Sequence, residues 1–212
     1  LPIEDGQYVA FEWIGQQNYL REKISRGGKR TRGANCTSAD ASVMFQGEDG
    51  RRQIVLIEWK YTESYHPTCL KYAASGTDRT KIYENLYLSD DCPLSKELIP
   101  NFDDLFFEPF YQFMRQQFLA YQMEKAHELG ADKVSLLHIS PAHNKDFIRI
   151  TSPMLRTVDI SATKVWRKLV KIPDRFIGEH TENIFGKFQV DTFPELAEWR
   201  RYIVMRYNWV LG

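Results

Sequence analysis

The sequence is poor in residues that build covalent or repetitive scaffolds. It has three cysteines, Cys36, Cys69 and Cys92, an odd count that excludes a disulfide framework and fits a reducing compartment. His66 precedes Cys69 by three residues, but no second pair of ligands follows at the spacing a zinc site uses. No stretch approaches the roughly 20 apolar residues of a membrane helix, so no membrane association is expected. Residues 1–9 lack the basic start and apolar run of a signal peptide, and a cytoplasmic location is expected. There is no internal repeat and no low-complexity tract. Nor is either charge in excess, since 28 Lys and Arg stand against 28 Asp and Glu. That balance removes net basicity as an argument for nucleic-acid binding. Any such case must rest on local charge and on a specific site.

What remains is the composition of an ordinary globular chain, 43% hydrophobic over 212 residues, enough to bury one sizeable core. Apolar spacing predicts a helix over 6–24, with Val9, Trp13, Leu20 and Ile24 on one face, ended by Gly27-Gly28. Two strands follow, 39–46 and 52–61, joined by Gly47-Glu48-Asp49-Gly50, a strong hairpin signal. The second is apolar on both faces through Ile54-Val55-Leu56-Ile57, as a central strand is. After an irregular stretch come a long helix over 103–129 stopped at Gly130, a buried strand over 133–139 and an extended segment over 147–151. Helices over 161–170 and 194–210 close the chain. Helix, hairpin, helix and strand in this order read as α/β. The expectation is one domain over 1–212, with a core of about 6–151 and a C-terminal helical extension over 152–212.

The zero net charge hides opposed regions. Arg21, Lys23, Arg26, Lys29, Arg30 and Arg32 crowd one segment whose only acid is Glu22, and residues 84–108 are acidic.

The chemistry lies on the hairpin. With a three-residue loop and Gly50 in the left-handed position, Asp40 faces Glu58, with Cα atoms ~4.5–5.5 Å apart. Lys60 lies two residues on and shares that face. A two-residue loop would instead put Asp40 opposite Trp59. Two carboxylates this close repel, and a hard divalent cation relieves the repulsion. Mg²⁺ takes one or two carboxylates plus water and phosphate oxygens, and Mn²⁺ is the natural substitute. An adjacent lysine can orient a water or stabilise charge on a phosphate under attack. The triplet Glu58-Trp59-Lys60 is by itself no more frequent than chance. Its meaning comes from its position, charges inside an apolar strand with an Asp opposite, where burial is costly unless they are paired or metal-bound. A purely structural ion pair is the competing explanation.

With Asp40, Glu58 and Lys60 so placed, the sequence resembles the PD-(D/E)XK nuclease superfamily over about residues 6–139. The runs Arg32-Gly33-Ala34-Asn35-Cys36-Thr37-Ser38-Ala39-Asp40 and Ile57-Glu58-Trp59-Lys60-Tyr61-Thr62-Glu63 are also similar to a group of restriction-type endonucleases within it. The resemblance implies a restriction-endonuclease-like core, a small mixed sheet flanked by helices, with metal held by Asp40 and Glu58. It further implies a first-helix glutamate completing the site, for which Glu12 is better placed than Glu22. It implies a second-helix glutamine too. Gln117 fits through Gln117-Phe118-Leu119-Ala120-Tyr121, while Gln112, Arg115 and Gln116 are rivals. The chain departs from the family at Ala39, where proline is usual. The first strand expected ahead of the Asp40 strand has no clear counterpart in residues 24–36.

The function expected is that of a Mg²⁺-dependent DNA endonuclease of restriction or defence type. Catalytic residues would be Asp40, Glu58, Lys60, Glu12, Gln117 and Gln112, and metal ligands Asp40, Glu58 and Glu12. Arg26, Lys29, Arg30 and Arg32 would lie along DNA phosphates, and double-strand cutting would favour a homodimer. The alternatives are an exonuclease or repair nuclease of the same superfamily, or a catalytically inactive nucleic-acid-binding module.

Overall fold

The computed structural model describes residues 1–22, 28–34, 36–187 and 192–206. Its centre is the hairpin of β2 (Ala39–Gln46) and β3 (Arg52–Trp59). Gly50 turns with φ +78°, a value that suits glycine. Gly47 N donates to Arg51 O at 2.9 Å and Gly50 N to Gly47 O at 3.0 Å, closing the three-residue loop. The register runs from Gln46 opposite Arg52 to Ala41 opposite Ile57. Continued by one step, it sets Asp40 beside Glu58.

β1 (Val9–Trp13), β4 (Lys133–Ser140) and β5 (Phe176–His180) complete a five-stranded sheet in the order β1-β2-β3-β4-β5. β1, β2 and β3 run antiparallel, and β3, β4 and β5 run parallel. The sheet is therefore mixed, flanked by helices, and the α/β class with a small restriction-endonuclease-like core is the observed one. β3 is the central strand, with Ile54, Val55 and Leu56 buried.

The N-terminal helix expected over 6–24 is replaced by strand β1. Ala10 is buried while its neighbours Val9 and Phe11 are exposed, a period of two rather than 3.6. Val9, Phe11 and Trp13 are residue types that suit a half-buried sheet edge, and pairing with β2 outweighs the weak helical spacing. Glu12 (φ +48°) interrupts extended geometry within the strand, although Trp13 still pairs with Ala39, and Gly15 (φ +72°) follows its end. The strand that the family resemblance requires thus lies earlier than residues 24–36.

α1 is Thr80–Leu88 and α2 is Phe110–Lys125. The helix expected over 103–129 is shorter, because a 3₁₀ turn at Phe102–Phe106 and Pro109 precede it and left-handed His127 and Leu129 end it. α3 (Lys145–Ile148) occupies the place of the extended segment expected over 147–151. Asn144 caps it, its Oδ1 accepting from Phe147 N at 3.1 Å. The C-terminal part supplies α4 (Ala162–Leu169), α5 (Thr181–Gly186) and α6 (Ala197–Arg206). It also supplies β5, too short and too polar after Phe176-Ile177 to stand out in the sequence. The last residues of the closing helix expected over 194–210 lie outside the described residues.

α2 lies on one face of the sheet. Phe110, Phe113, Met114 and Phe118 are buried with Ile54, Leu56, Val134, Leu136 and Phe176. Trp166 of α4 closes this layer, 5.7 Å from Phe113 and 6.2 Å from Phe110. Each such side chain fully buried contributes about 1.5–3 kcal/mol, so α2 is fixed firmly against the strands. Among the described residues no helix is long and apolar enough to cross a membrane.

Candidate active site

At the end of β2 and β3 this apolar layer turns polar. Trp59 N donates to Asp40 Oδ2 at 2.8 Å, and Asp40 Oδ1 has no donor among the described residues. Glu58 is 2% exposed. Its Oε1 accepts from Lys60 Nζ at 2.5 Å and from Gln112 Nε2 at 2.6 Å, and its Oε2 accepts from Gln116 Nε2 at 2.5 Å. Lys60 is held in place by its backbone N, which donates to Ile139 O of β4 at 2.8 Å. The triplet therefore folds back on itself. The lysine neutralises the glutamate two residues before it.

Burial pushes the Glu58 carboxyl up, and the charge of Asp40 adds to this against the pull of Lys60 and Gln116. Burial works against the Lys60 ammonium as well, but Glu58, Asp40 and Glu63 outweigh it and hold its pKa above the ordinary lysine value. Lys60 in this state is a donor with three N–H bonds and no lone pair.

α2 presents Gln112 and Gln116, four residues apart on one face, to the carboxylate. Gln116 Nε2 also donates to Ser38 O at 3.1 Å and so ties helix to sheet. Gln117 is one residue on, about 100° around the helix. It faces a separate cavity of about 230 Å³ lined by Cys92, Tyr121, Val134 and Val170, among others, and its Oε1 is buried with no partner among the described residues. The Gln117-x-x-x-Tyr121 pattern is thus on the wrong side of the helix for Glu58. Gln116 takes that place, and the Gln112/Gln116 spacing is the signal that identifies it. Tyr65 and Glu108, not singled out in the sequence, stand behind Gln112. Tyr65 OH donates to Gln112 Oε1 at 3.4 Å, and Gln112 N donates to Glu108 Oε2 at 3.3 Å. Burial pushes the Glu108 carboxyl up.

Glu12 reaches the site from edge strand β1 rather than from a helix. Its Oε2 accepts from Ser38 Oγ at 2.7 Å. Glu22 is buried and structural. It accepts from Thr37 N and Thr37 Oγ1, each at 2.6 Å, and from Tyr83 OH at 2.8 Å, fixing the entry to β2. His138 lies across from Glu58 on β4. It is stacked on Phe147 at 4.8 Å and edge-on to Phe113 at 4.9 Å, and both its nitrogens lack partners among the described residues. Burial, with a smaller contribution from Lys60, lowers its pKa to about 3, so it is a neutral wall beneath the site.

These groups line an open polar cleft of about 270 Å³, to which Glu12, Thr37, Asp40, Glu58, Lys60 and Arg115 contribute. Among the described residues no three His, Cys, Asp or Glu side chains converge closely enough to hold an ion alone. The donor set nevertheless fits a hard cation that keeps most of its ligands as water or phosphate. Asp40 Oδ1 is unpartnered at the cleft, and Glu58 Oε2 has one neutral donor.

The basic segment is used largely within the fold. Arg30 Nη1 donates to Ile14 O and Gln17 O, both at 2.7 Å, and its Nη2 to Gly15 O at 2.8 Å. Arg32 pairs with Glu4, donates to Phe11 O at 3.1 Å and lies 5.3 Å over the Trp13 ring. Arg30 is thus spent on the loop after β1, and Arg32 on β1 and on Glu4 ahead of it. Lys29 is exposed, and Arg26 lies outside the described residues.

Residues 1–207 match a protein family described as restriction endonuclease associating with ARP. No curated protein and no solved structure matches the chain.

Proposed function

The chain belongs to the restriction endonuclease associating with ARP family, and on that premise we propose that the cleft is a PD-(D/E)XK-type site that hydrolyses DNA phosphodiester bonds with Mg²⁺, or Mn²⁺ in its place. The observation that carries this reading is Asp40 abreast of Glu58 with Lys60 on the same carboxylate, at the rim of a polar cleft. Asp40 through Oδ1 and Glu58 through Oε2 would hold the cation, with Glu12 as a further acidic neighbour. Bound there, a divalent cation supplies charge neutralisation and a more acidic water.

The protein's own groups do the positioning. Trp59 N fixes the Asp40 carboxylate, and the neutral amides of Gln112 and Gln116 fix that of Glu58. Lys60 is an ammonium at the cleft wall. It is placed to donate to a non-bridging phosphate oxygen or to hold the attacking water by its oxygen. Either role stabilises charge that grows as the bond breaks. His138, Phe113 and Phe147 keep the floor dry, which strengthens these interactions. Exposed Lys29 would lie towards the DNA backbone, and Arg30 holds the loop after β1 beside it. The family's description, a restriction endonuclease associating with ARP, supports a restriction or defence role. A homodimer would supply two such clefts for a double-strand cut.

The test is incubation with supercoiled, linear and single-stranded DNA plus Mg²⁺ or Mn²⁺, using wild type, Glu58→Ala and Lys60→Ala. Nicking or linearising of supercoiled DNA by wild type alone is expected. Digestion only from free ends would favour the exonuclease alternative. No cutting by wild type, or equal cutting by the variants, refutes the reading.

A further inference from the structure

Arg115 sits on α2 at the Thr37 end of the same cleft. Its Nε donates to Thr37 Oγ1 at 3.0 Å, and its guanidinium lies 5.2 Å over the Tyr111 ring. The acid nearest to it is Glu22, whose Oε1 is 3.8 Å from Nε, too far for a hydrogen bond. Glu22 is already satisfied by Thr37 and Tyr83. The two terminal nitrogens of Arg115, with four N–H bonds, have no acceptor among the described residues. Arg30 shows what a structural arginine in this chain looks like, with its fork spent on three backbone carbonyls. Arg115 is held at Nε and by its stacked face, and its fork is left over beside a cleft.

We propose that the fork of Arg115, oriented by Thr37, is a phosphate-binding site, and that it takes the nucleic-acid phosphate next to the one at Asp40 and Glu58. The inference rests on the reading of the cleft as a nucleic-acid site. A planar fork with fixed orientation matches two oxygens of a phosphate, which a lysine cannot do. Thr37 lies three positions before Asp40, a span of at most about 10 Å. A phosphate on Arg115 is therefore a neighbour of the one being attacked and sets the register of the strand.

The direct test is the side-chain Nε–H resonance of Arg115 in ¹⁵N-labelled full-length protein, identified by its loss in Arg115→Lys. It is followed during titration with duplex DNA in Ca²⁺. A saturable shift of that signal is expected, with affinity about tenfold to a hundredfold weaker in Arg115→Gln and a salt slope smaller by about one. Arg115→Lys keeps charge without the fork and falls between the two. Response to a closed circular duplex assigns an internal phosphate. Response only to a 5′-phosphorylated end assigns a terminal one, which keeps the site but overturns its place beside the attacked phosphate. DNA that binds and shifts other signals while Arg115 stays silent overturns the proposal and leaves the nuclease reading standing. An Arg115 response without cleavage under any divalent cation does the reverse. Absence of any DNA binding overturns both.

Discussion

Replacing Lys60 by methionine isolates the electrostatics of the cleft without needing a substrate. Glu58 is 2% exposed, and Lys60, whose side chain is 14% exposed, is its cationic partner at 2.5 Å. Gln112 and Gln116 remain as neutral donors in the variant. Removing one member of a buried pair costs about 3–5 kcal/mol, and the two amides put this case at the lower end, about 3 kcal/mol. For a chain of this size that corresponds to a drop of about 6–12 °C in Tm. Burial already raises the folded-state pKa of Glu58, and loss of Lys60 raises it further. The folded chain then binds that proton more tightly than the unfolded chain does. The penalty is therefore complete only above the raised value and fades as pH falls through it towards the ordinary carboxylate range. Urea or thermal unfolding in neutral and mildly acidic buffer reads both effects. Glu58→Gln added to Lys60→Met should recover most of the loss at neutral pH. Excess Mg²⁺ should raise the Tm of Lys60→Met more than that of wild type, because a cation replaces the missing counter-charge. A Lys60→Met protein as stable as wild type at neutral pH, or equally destabilised at both pH values, refutes the argument.

Three further outcomes follow from other parts of the structure. His138→Phe should lessen the acid sensitivity of folding. The folded pKa of about 3 lies below the unfolded value near 6.5, so wild-type stability is complete above about 6.5 and falls by up to about 1.4 kcal/mol per pH unit below it. The difference in unfolding free energy between the two proteins, measured against pH, should show that slope. Arg30→Lys should cost about 2–3 kcal/mol in urea unfolding, since an ammonium cannot span the carbonyls of Ile14, Gly15 and Gln17. Equal stability would show those bonds to be dispensable. Gln117→Met removes a buried carbonyl that has no partner among the described residues and should leave stability equal or higher and DNA cleavage within about twofold of wild type. A loss of cleavage comparable to that of Gln116→Met would show that Gln117 acts at the site after all.

The hairpin was the most legible part of the chain. Its alternation, its turn residues and its long apolar run all mark the two strands, and the turn favoured Gly50 and the Asp40–Glu58 register, while the structure decided against the two-residue loop that would set Asp40 opposite Trp59. β4 and the body of α2 were legible for the same reason. β1 was not. Val9 and Trp13 are spaced to suit a helix or an edge strand, and only the partner strand decides between them. Which α2 glutamine meets Glu58 depends on the rotation of the helix about its axis. That rotation is set by Phe110, Phe113 and Trp166 in the core and not by any local pattern. The bonding of Arg30 and Arg32 was not legible either, because charge in a sequence does not say whether a guanidinium meets solvent or the carbonyls of its own fold.

The order in which the site is assembled has a kinetic consequence. Asp40 and Glu58 are joined by a local hairpin, the sort of contact that closes within about 1–10 μs. The amides that satisfy Glu58 come from residues 54 and 58 positions further along the chain. In the early hairpin both acids are therefore still in water, and the cost of drying Glu58 falls on the later docking of α2. That docking step is sensitive to proton concentration. Mild acid, which discharges Glu58, should quicken refolding even where it does nothing for the hairpin itself.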